Sequence, residues 1–267
     1  MSPNLTEIPV PSPLGPEPIR IHHPEGAFVP TPASLIALEA IAAHQGRFRG
    51  RGLDWGSGSG LLAIAAARLA GVKEVLGLEL DPRGVAAARG NARRNGAAEK
   101  VQFVESDSYH PVSEEGRRTL ARFDGSTDFM IANPPSSSPF GDGFEMRRVV
   151  VRGAVRYLTP GGLLLLSVSS QYGEGRVAGL LRETPGFRHD GVGASTGLVP
   201  FDMGRPDLRR DVRTYAREEE RGGLTYAFSN PRNPEKPMTA IEARSHFRAT
   251  GESPLSRWQS HLLVRAG

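Results

Sequence analysis

"DWGSGSG" occupies residues 54–60, directly after Gly52-Leu53, and its reading decides the fold. An apolar run that breaks into alternating glycines is a strand turning sharply, because glycine reaches backbone angles that other residues avoid. A helical stretch follows at once (LLAIAAARL, 61–69), so the unit is strand, tight turn, helix. A dinucleotide fingerprint would need glycine at position 61, which is Leu61, and a phosphate loop would need Gly-Lys-Ser/Thr, which is absent. What remains is an acid, Asp54, two places ahead of the Gly56-Ser57-Gly58-Ser59-Gly60 turn. That acid suits a cationic or amine-bearing ligand better than a pyrophosphate, and it argues against NAD.

The same alternation continues outward. Strands are expected at 52–55, 74–80, 101–104, 127–132 and 163–168, with helices at 61–69, from Asp81-Pro82 to Asn95-Gly96, and at 145–158. Asp81 reads as an N-cap with Pro82 in the first turn, and Asn95-Gly96 as a left-handed stop. Strands and helices in strict alternation predict a parallel, doubly wound sheet whose ligand lies beyond the carboxyl ends of the strands. Thr31-Pro32 opens an earlier helix with Leu35, Leu38 and Ala42 as its expected apolar stripe. His261–Val264 is expected to return as an antiparallel strand.

Three further motifs fall at expected strand ends. Glu79, in Leu78-Glu79-Leu80-Asp81, can bind both hydroxyls of a ribose. Asp107, in Ser106-Asp107-Ser108, can accept from an adenine amino group. Asn133-Pro134-Pro135 closes the run Phe129-Met130-Ile131-Ala132.

With DWGSGSG (54–60), LELD (78–81), ESDSY (105–109) and IANPP (131–135) in this order, the sequence resembles the class I S-adenosylmethionine-dependent methyltransferases over about residues 50–170. The resemblance implies a Rossmann-like, mostly parallel seven-stranded sheet with helices on both faces and an antiparallel last strand. It also implies S-adenosyl-L-methionine as cofactor, held by Asp54, Gly56, Ser57, Gly58, Gly60, Glu79, Asp107 and Asn133. Asn133, Pro134 and Pro135 are similar to the N-P-P element of the subgroup that methylates planar nitrogens. Such a nitrogen is a poor nucleophile because its lone pair is delocalised, so its hydrogens must be held while the lone pair points at the methyl. The Asn133 side-chain oxygen and the Pro134 carbonyl are the implied acceptors, and the fixed φ of proline aims the carbonyl in advance. Position 136 is serine where the subgroup usually has an aromatic residue, so Phe140, Phe144 and Tyr109 are the candidate stacking faces.

GLLAIAAARLAG and ELDPRGVAAARGNARRNG are similar to the protein-methylating branch, which acts on ribosomal proteins and release factors. Phe28-Val29-Pro30-Thr31-Pro32 is similar to a substrate-side element of release-factor glutamine methyltransferases, with Thr31 in place of an arginine. The implied acceptor is a macromolecule, protein glutamine or an RNA base. The rivals are a small-molecule methyltransferase and a catalytically silent S-adenosylmethionine-binding protein.

Composition sets the outer bounds. The 267 residues carry a formal charge of +4, 38% hydrophobic and 23% charged residues, and no cysteine. Disulfides, thiolate metal sites and cysteine nucleophiles are thereby excluded. Lys73, Lys100 and Lys236 are the sole lysines, so almost every positive charge is an arginine, suited to bidentate contacts with phosphate or carboxylate. No signal peptide or membrane span is visible, which predicts a cytoplasmic protein. His22, His23 and Glu25 lack the further ligands a metal needs. Residues 1–45 are expected to be a proline-rich arm and a helix, and 46–267 the main domain. Residues 1–20, with six prolines, predict an extended or partly disordered tail. Residues 200–257 show no clean period and are expected to form a substrate-side insertion, with a substrate-facing lid as one form of it, in which the mixed-sign run 205–213 defaults to a solvated face with RNA or acidic protein as its functional alternative.

Overall fold

Strands that are apolar on both faces need cover on both sides, and the run Thr127–Ala132 is of this kind, with five of its six residues buried. The structure, a computed structural model, describes residues 4–24, 31–135 and 143–267. Seven strands form its central sheet: β1 (Gly50–Trp55), β2 (Val72–Glu79), β3 (Val101–Asp107), β4 (Thr127–Ala132), β5 (Leu158–Ser167), β6 (Phe187–Ser195) and β7 (Gln259–Arg265). Their order is β3-β2-β1-β4-β5-β7-β6, and a two-residue strand, His110–Pro111, extends the β3 edge. β3, β2, β1, β4 and β5 pair in parallel, whereas β7 runs antiparallel between β5 and β6. The architecture is Rossmann-like, with the returning strand where the sequence places it.

Helices α1 (Pro32–Ala43), α2 (Leu61–Ala67), α3 (Pro82–Arg94), α4 (Glu114–Ala121), α5 (Glu145–Tyr157) and α6 (Glu174–Glu183) cover the sheet. Alternate residues of each strand feed different layers. Phe129 and Ile131 join the apolar cluster of α1, α2 and α3, while Met130 and Ala132 join that of α5. The Asp81 side chain accepts from Arg83 N at 2.9 Å as the cap of α3, and Gly96 sits at φ 65° beyond its end.

The chain reverses its direction of winding between β1 and β4. There Asp54 pairs with Ile131 on one side and Gly77 on the other, and Trp55 with Ala132 and Leu78. The glycine turn, Glu79 and Asn133 therefore leave the sheet from neighbouring strands at one edge, the crevice where open α/β sheets bind ligands.

Three expectations need correction. The proline-rich arm is not a loose tail: Leu5–Ile8 and Ile19–His22 form an antiparallel hairpin whose Ile8, Leu14, Ile19 and Ile21 are buried. Asn91 fixes it to α3, accepting from His22 N at 2.9 Å and donating to His22 O and Ser59 O at 3.0 Å. In α1 the stripe is shifted, since Leu35 is 43% exposed while Ile36, Ala37, Ala40 and Ile41 are buried with Leu38. Residues 200–257 contain α7 (Pro206–Glu220), α8 (Ala240–Thr250) and, counting from Val199, a small sheet of four two-residue strands. The period of α7 is present after all: Leu208, Val212, Tyr215 and Ala216 stand at i, i+4, i+7 and i+8 and are buried. Dense arginines and acids between them hide it in the sequence.

Candidate functional site

The glycine turn does two different jobs. Gly56, Gly58 and Gly60 all have positive φ, at 68°, 54° and 88°. A Cβ on Gly56 or Gly58 would meet open space, so these two serve the turn and leave the backbone facing a cavity. A Cβ on Gly60 would come within 2.8 Å of the Phe103 ring and 3.1 Å of Ala88, so Gly60 allows α2 to pack on its neighbours.

Glu79 braces this turn from the next strand. Its carboxylate accepts from Gly58 N at 2.7 Å and from Asp81 N at 2.8 Å. Two charge-assisted bonds fix the acid at the cavity edge while each oxygen keeps a further lone pair. Asp54 is 1% exposed and accepts from Ala63 N at 3.0 Å. Burial pushes its carboxyl up to about 8; the Ala63 bond opposes this, and the like charge of Glu79 adds to it. A cation beside Asp54 would reverse that penalty.

These groups line a cavity of about 450 Å³, together with Ser57, Asp107, Ser108, Asn133, Pro135, Leu80 and Met146. The Ser57 hydroxyl is buried in its wall without a hydrogen-bond partner among the described residues. Trp55 Nε1 donates to Ser108 Oγ at 3.0 Å, and Ser108, at φ 55°, bends the chain just after Asp107. A buried carboxyl at Asp54 that ionises readily once a cation sits beside it, a glycine backbone, an acid at the next strand end and a further acid on the third suit a nucleoside that carries a cation. The donor set fits S-adenosylmethionine.

Asn133 stands at the junction with a second, smaller chamber of about 90 Å³. Asn133 and Pro135 line both, and Pro134 lines the smaller one. The Asn133 Nδ2 donates to Ser34 Oγ at 3.2 Å, which leaves Oδ1 as the outward acceptor of the amide. Ser34 in turn accepts from Thr31 N at 3.4 Å, in the capping box that starts α1. The far wall of the chamber is Arg205, Asp207, Leu208, Asp211 and Trp258, from the C-terminal segment.

Arg147 holds the chamber's floor. It is 2% exposed and donates to Ser167 O at 3.1 Å, Gly143 O at 3.0 Å and Pro135 O at 3.4 Å.

Of the residues singled out from sequence, Asp54, Gly56, Ser57, Gly58, Glu79, Asp107, Asn133 and Pro135 thus meet around the larger cavity, Pro134 faces the smaller, and Gly60 lies beneath the turn. Ser34, Arg147 and Trp258 were missed as site residues. A Thr-x-x-Ser capping signal marks Ser34, but nothing local marks the other two. Two candidate stacking aromatics are used elsewhere: Phe144 is 1% exposed against Tyr172, and Tyr109 stacks on Tyr157 while its hydroxyl donates to Val150 O. Trp258, 7% exposed and stacked on Phe201, is the aromatic wall of the smaller chamber. Phe140, Ser136, Ser137, Ser138, Glu25 and the stretch Phe28-Val29-Pro30 lie outside the described residues. Among the described residues no group of His, Cys, Asp or Glu is placed to hold a metal, and no helix is long and apolar enough to cross a membrane.

The model of the methyltransferase small domain matches residues 29–184, more than half of the chain. Over 115 residues the chain is 41% identical to the ribosomal protein L11 methyltransferase of Dechloromonas aromatica, covering 43% of this chain and 31% of that protein. Over 191 residues it is 32% identical to the 4-amino-L-phenylalanine/4-methylamino-L-phenylalanine methyltransferase of Streptomyces pristinaespiralis, covering 61% of each. These matches therefore span about a third to three fifths of the relatives' own lengths. A solved structure of the T. thermophilus 16S rRNA N2 G1207 methyltransferase, in complex with AdoMet and guanosine, superposes with a TM-score of 0.54 and 26% identity, over 69% of this chain and 46% of that one.

Proposed function

The chain belongs to the methyltransferase small domain family, and from that premise we propose that it transfers a methyl group from S-adenosylmethionine to a planar nitrogen of a macromolecule, a protein glutamine or an RNA base. The observation that carries this reading is the position of Asn133 at the junction of the two cavities, its Nδ2 tied to Ser34. When bound, S-adenosylmethionine supplies an electrophilic sulfonium methyl.

The chain's own residues do the positioning. Asp54 receives the cationic methionine end, and Glu79 takes the ribose hydroxyls with the oxygen lone pairs left over from Gly58 and Asp81. Asp107 flanks the adenine. On the acceptor side, Asn133 Oδ1 and the Pro134 carbonyl would each accept a hydrogen bond from one N–H of the target nitrogen and so hold its lone pair ready for the methyl. Formation of the N–C bond as the S–C bond breaks would leave a neutral thioether, and the methylated nitrogen would lose one proton to solvent. Alignment of this kind is worth on the order of 7–11 kcal/mol of barrier. Trp258 offers the flat face that position 136 does not.

A macromolecular acceptor is supported by relatives whose names specify a ribosomal protein and 16S rRNA. It goes with a cytoplasmic location for this chain. A second reading, methylation of an aryl amine on a small molecule, is favoured by the 4-amino-L-phenylalanine/4-methylamino-L-phenylalanine relative, which aligns over the longer stretch. Incubation with methyl-labelled cofactor and separated RNA, protein and metabolite pools decides between them. Label in RNA or protein is expected; label confined to metabolites selects the second reading, and no label in any pool contradicts methyl transfer.

A further inference from the structure

Helix α7 carries five acids and four arginines, yet the structure separates most of them. Every acid is engaged on the protein side. Asp207 pairs with Arg205 at 2.6 Å, and Asp211 is 3% exposed. Glu218 accepts from the Tyr226 hydroxyl, and Glu220 pairs with Arg244. Glu219 caps α8, accepting from Ala240 N at 3.0 Å and Ile241 N at 2.9 Å.

Arg209 also turns inward, donating to Met203 O at 2.8 Å, but the other arginines go the other way. Arg210, Arg213 and Arg217, with Arg221 just past the helix end, are exposed at i, i+3, i+7 and i+11. That spacing places all four guanidinium groups along one stripe, running about 16 Å from Arg210 to Arg221. None forms an ion pair with a described residue. The first turns of the same helix supply Asp207, Leu208 and Asp211 to the acceptor-side chamber. The stripe therefore leads away from the place where the target nitrogen is expected.

We propose that Arg210, Arg213, Arg217 and Arg221 form a phosphate-binding rail, and that the acceptor is RNA. This inference rests on the methyl-transfer reading of the adjoining site. A row of unpaired guanidinium groups matches the repeating charge of a nucleic-acid strand. A protein partner would call for apolar anchors among the charges, and no large apolar side chain of α7 is exposed.

The test is binding of a fluorescent single-stranded RNA oligonucleotide to the full chain, with salt raised from about 50 to about 200 mM. The comparison is the triple variant Arg210→Ala, Arg213→Ala, Arg217→Ala. Three lost contacts are expected to reduce the slope of log affinity against log salt by about 2 and to weaken binding at least ~10-fold at low salt. Polyglutamate of equal length is expected to bind more weakly than RNA. An unchanged slope, or tighter binding to polyglutamate, overturns the rail. Cofactor affinity, measured by calorimetry on the same variant, is expected to stay at the wild-type value. If the wild-type chain fails to bind S-adenosylmethionine, the methyl-transfer reading fails, whatever the RNA result; if it binds the cofactor but the arginines do not affect RNA, the rail alone fails.

Discussion

Asn133 and Ser34 are 99 residues apart in sequence, yet the Asn133 Nδ2 donates to the Ser34 hydroxyl at 3.2 Å. That bond ties the end of β4 to the first turn of α1, and it decides which end of the amide faces the cavities. Ser34→Ala is expected to let the amide rotate, lowering methyl transfer up to ~10-fold while cofactor affinity stays constant, since one neutral hydrogen bond is worth about 0.5–1.5 kcal/mol. Initial rates with labelled cofactor check this. Unaltered rates would mean that Ser34 does not position Asn133.

Glu79 carries both a brace and an expected ligand contact. Glu79→Ala removes the bonds to Gly58 N and Asp81 N as well as the acceptors for a ribose. Bonds to a charged group are worth about 1.5–3 kcal/mol each, so cofactor affinity is expected to fall at least ~10-fold. Titration calorimetry reads this directly; undiminished affinity would remove Glu79 from the site.

Asp54 gives the free protein a specific pH dependence. Its carboxyl, pushed up to about 8 by burial, is protonated in both folded and unfolded chains at acid pH and costs nothing there. As pH rises through the ordinary carboxylate range the unfolded chain ionises first, so stability is lost progressively until about pH 8 and then no further. Asp54→Asn is expected to flatten this decline in thermal melts taken from acid to alkaline buffer. Equal decline in both proteins would contradict the burial of a protonated Asp54.

Arg147 joins three carbonyls through one planar group. Arg147→Lys keeps the charge but loses the fork that reaches Ser167, Gly143 and Pro135 together. A loss of about 1–3 kcal/mol in stability is expected from carbonyls left unsatisfied, with a raised KM for the acceptor and unchanged cofactor affinity. A variant as stable as the parent, with the same KM, would show that Arg147 does not support the chamber.

How far the sequence could be read depended on whether the signal was local. The strand-turn-helix at Asp54–Gly60, the cap at Asp81 and the stop at Gly96 are fixed by neighbours in the chain, and the observed elements agree closely with their expected bounds. The docking of the proline arm depends on Asn91 and Asn95, roughly 70 residues away, and no local pattern announces it. Arg147 and Trp258 face the chamber only because α5 and the C-terminal segment pack together there. In α7, charge density concealed a sound apolar period. Long-range packing hid the arm's docking and the chamber's far walls, whereas in α7 the signal was local but masked.

The central claim concerns Asn133, and single-turnover methyl transfer by Asn133→Ala tests it most directly, using the acceptor pool that takes label from the wild-type chain. Cofactor affinity is expected to survive while the transfer rate falls at least ~100-fold, a loss of about 2.7 kcal/mol in transition-state stabilisation. A variant that transfers methyl groups at the parental rate would contradict the account.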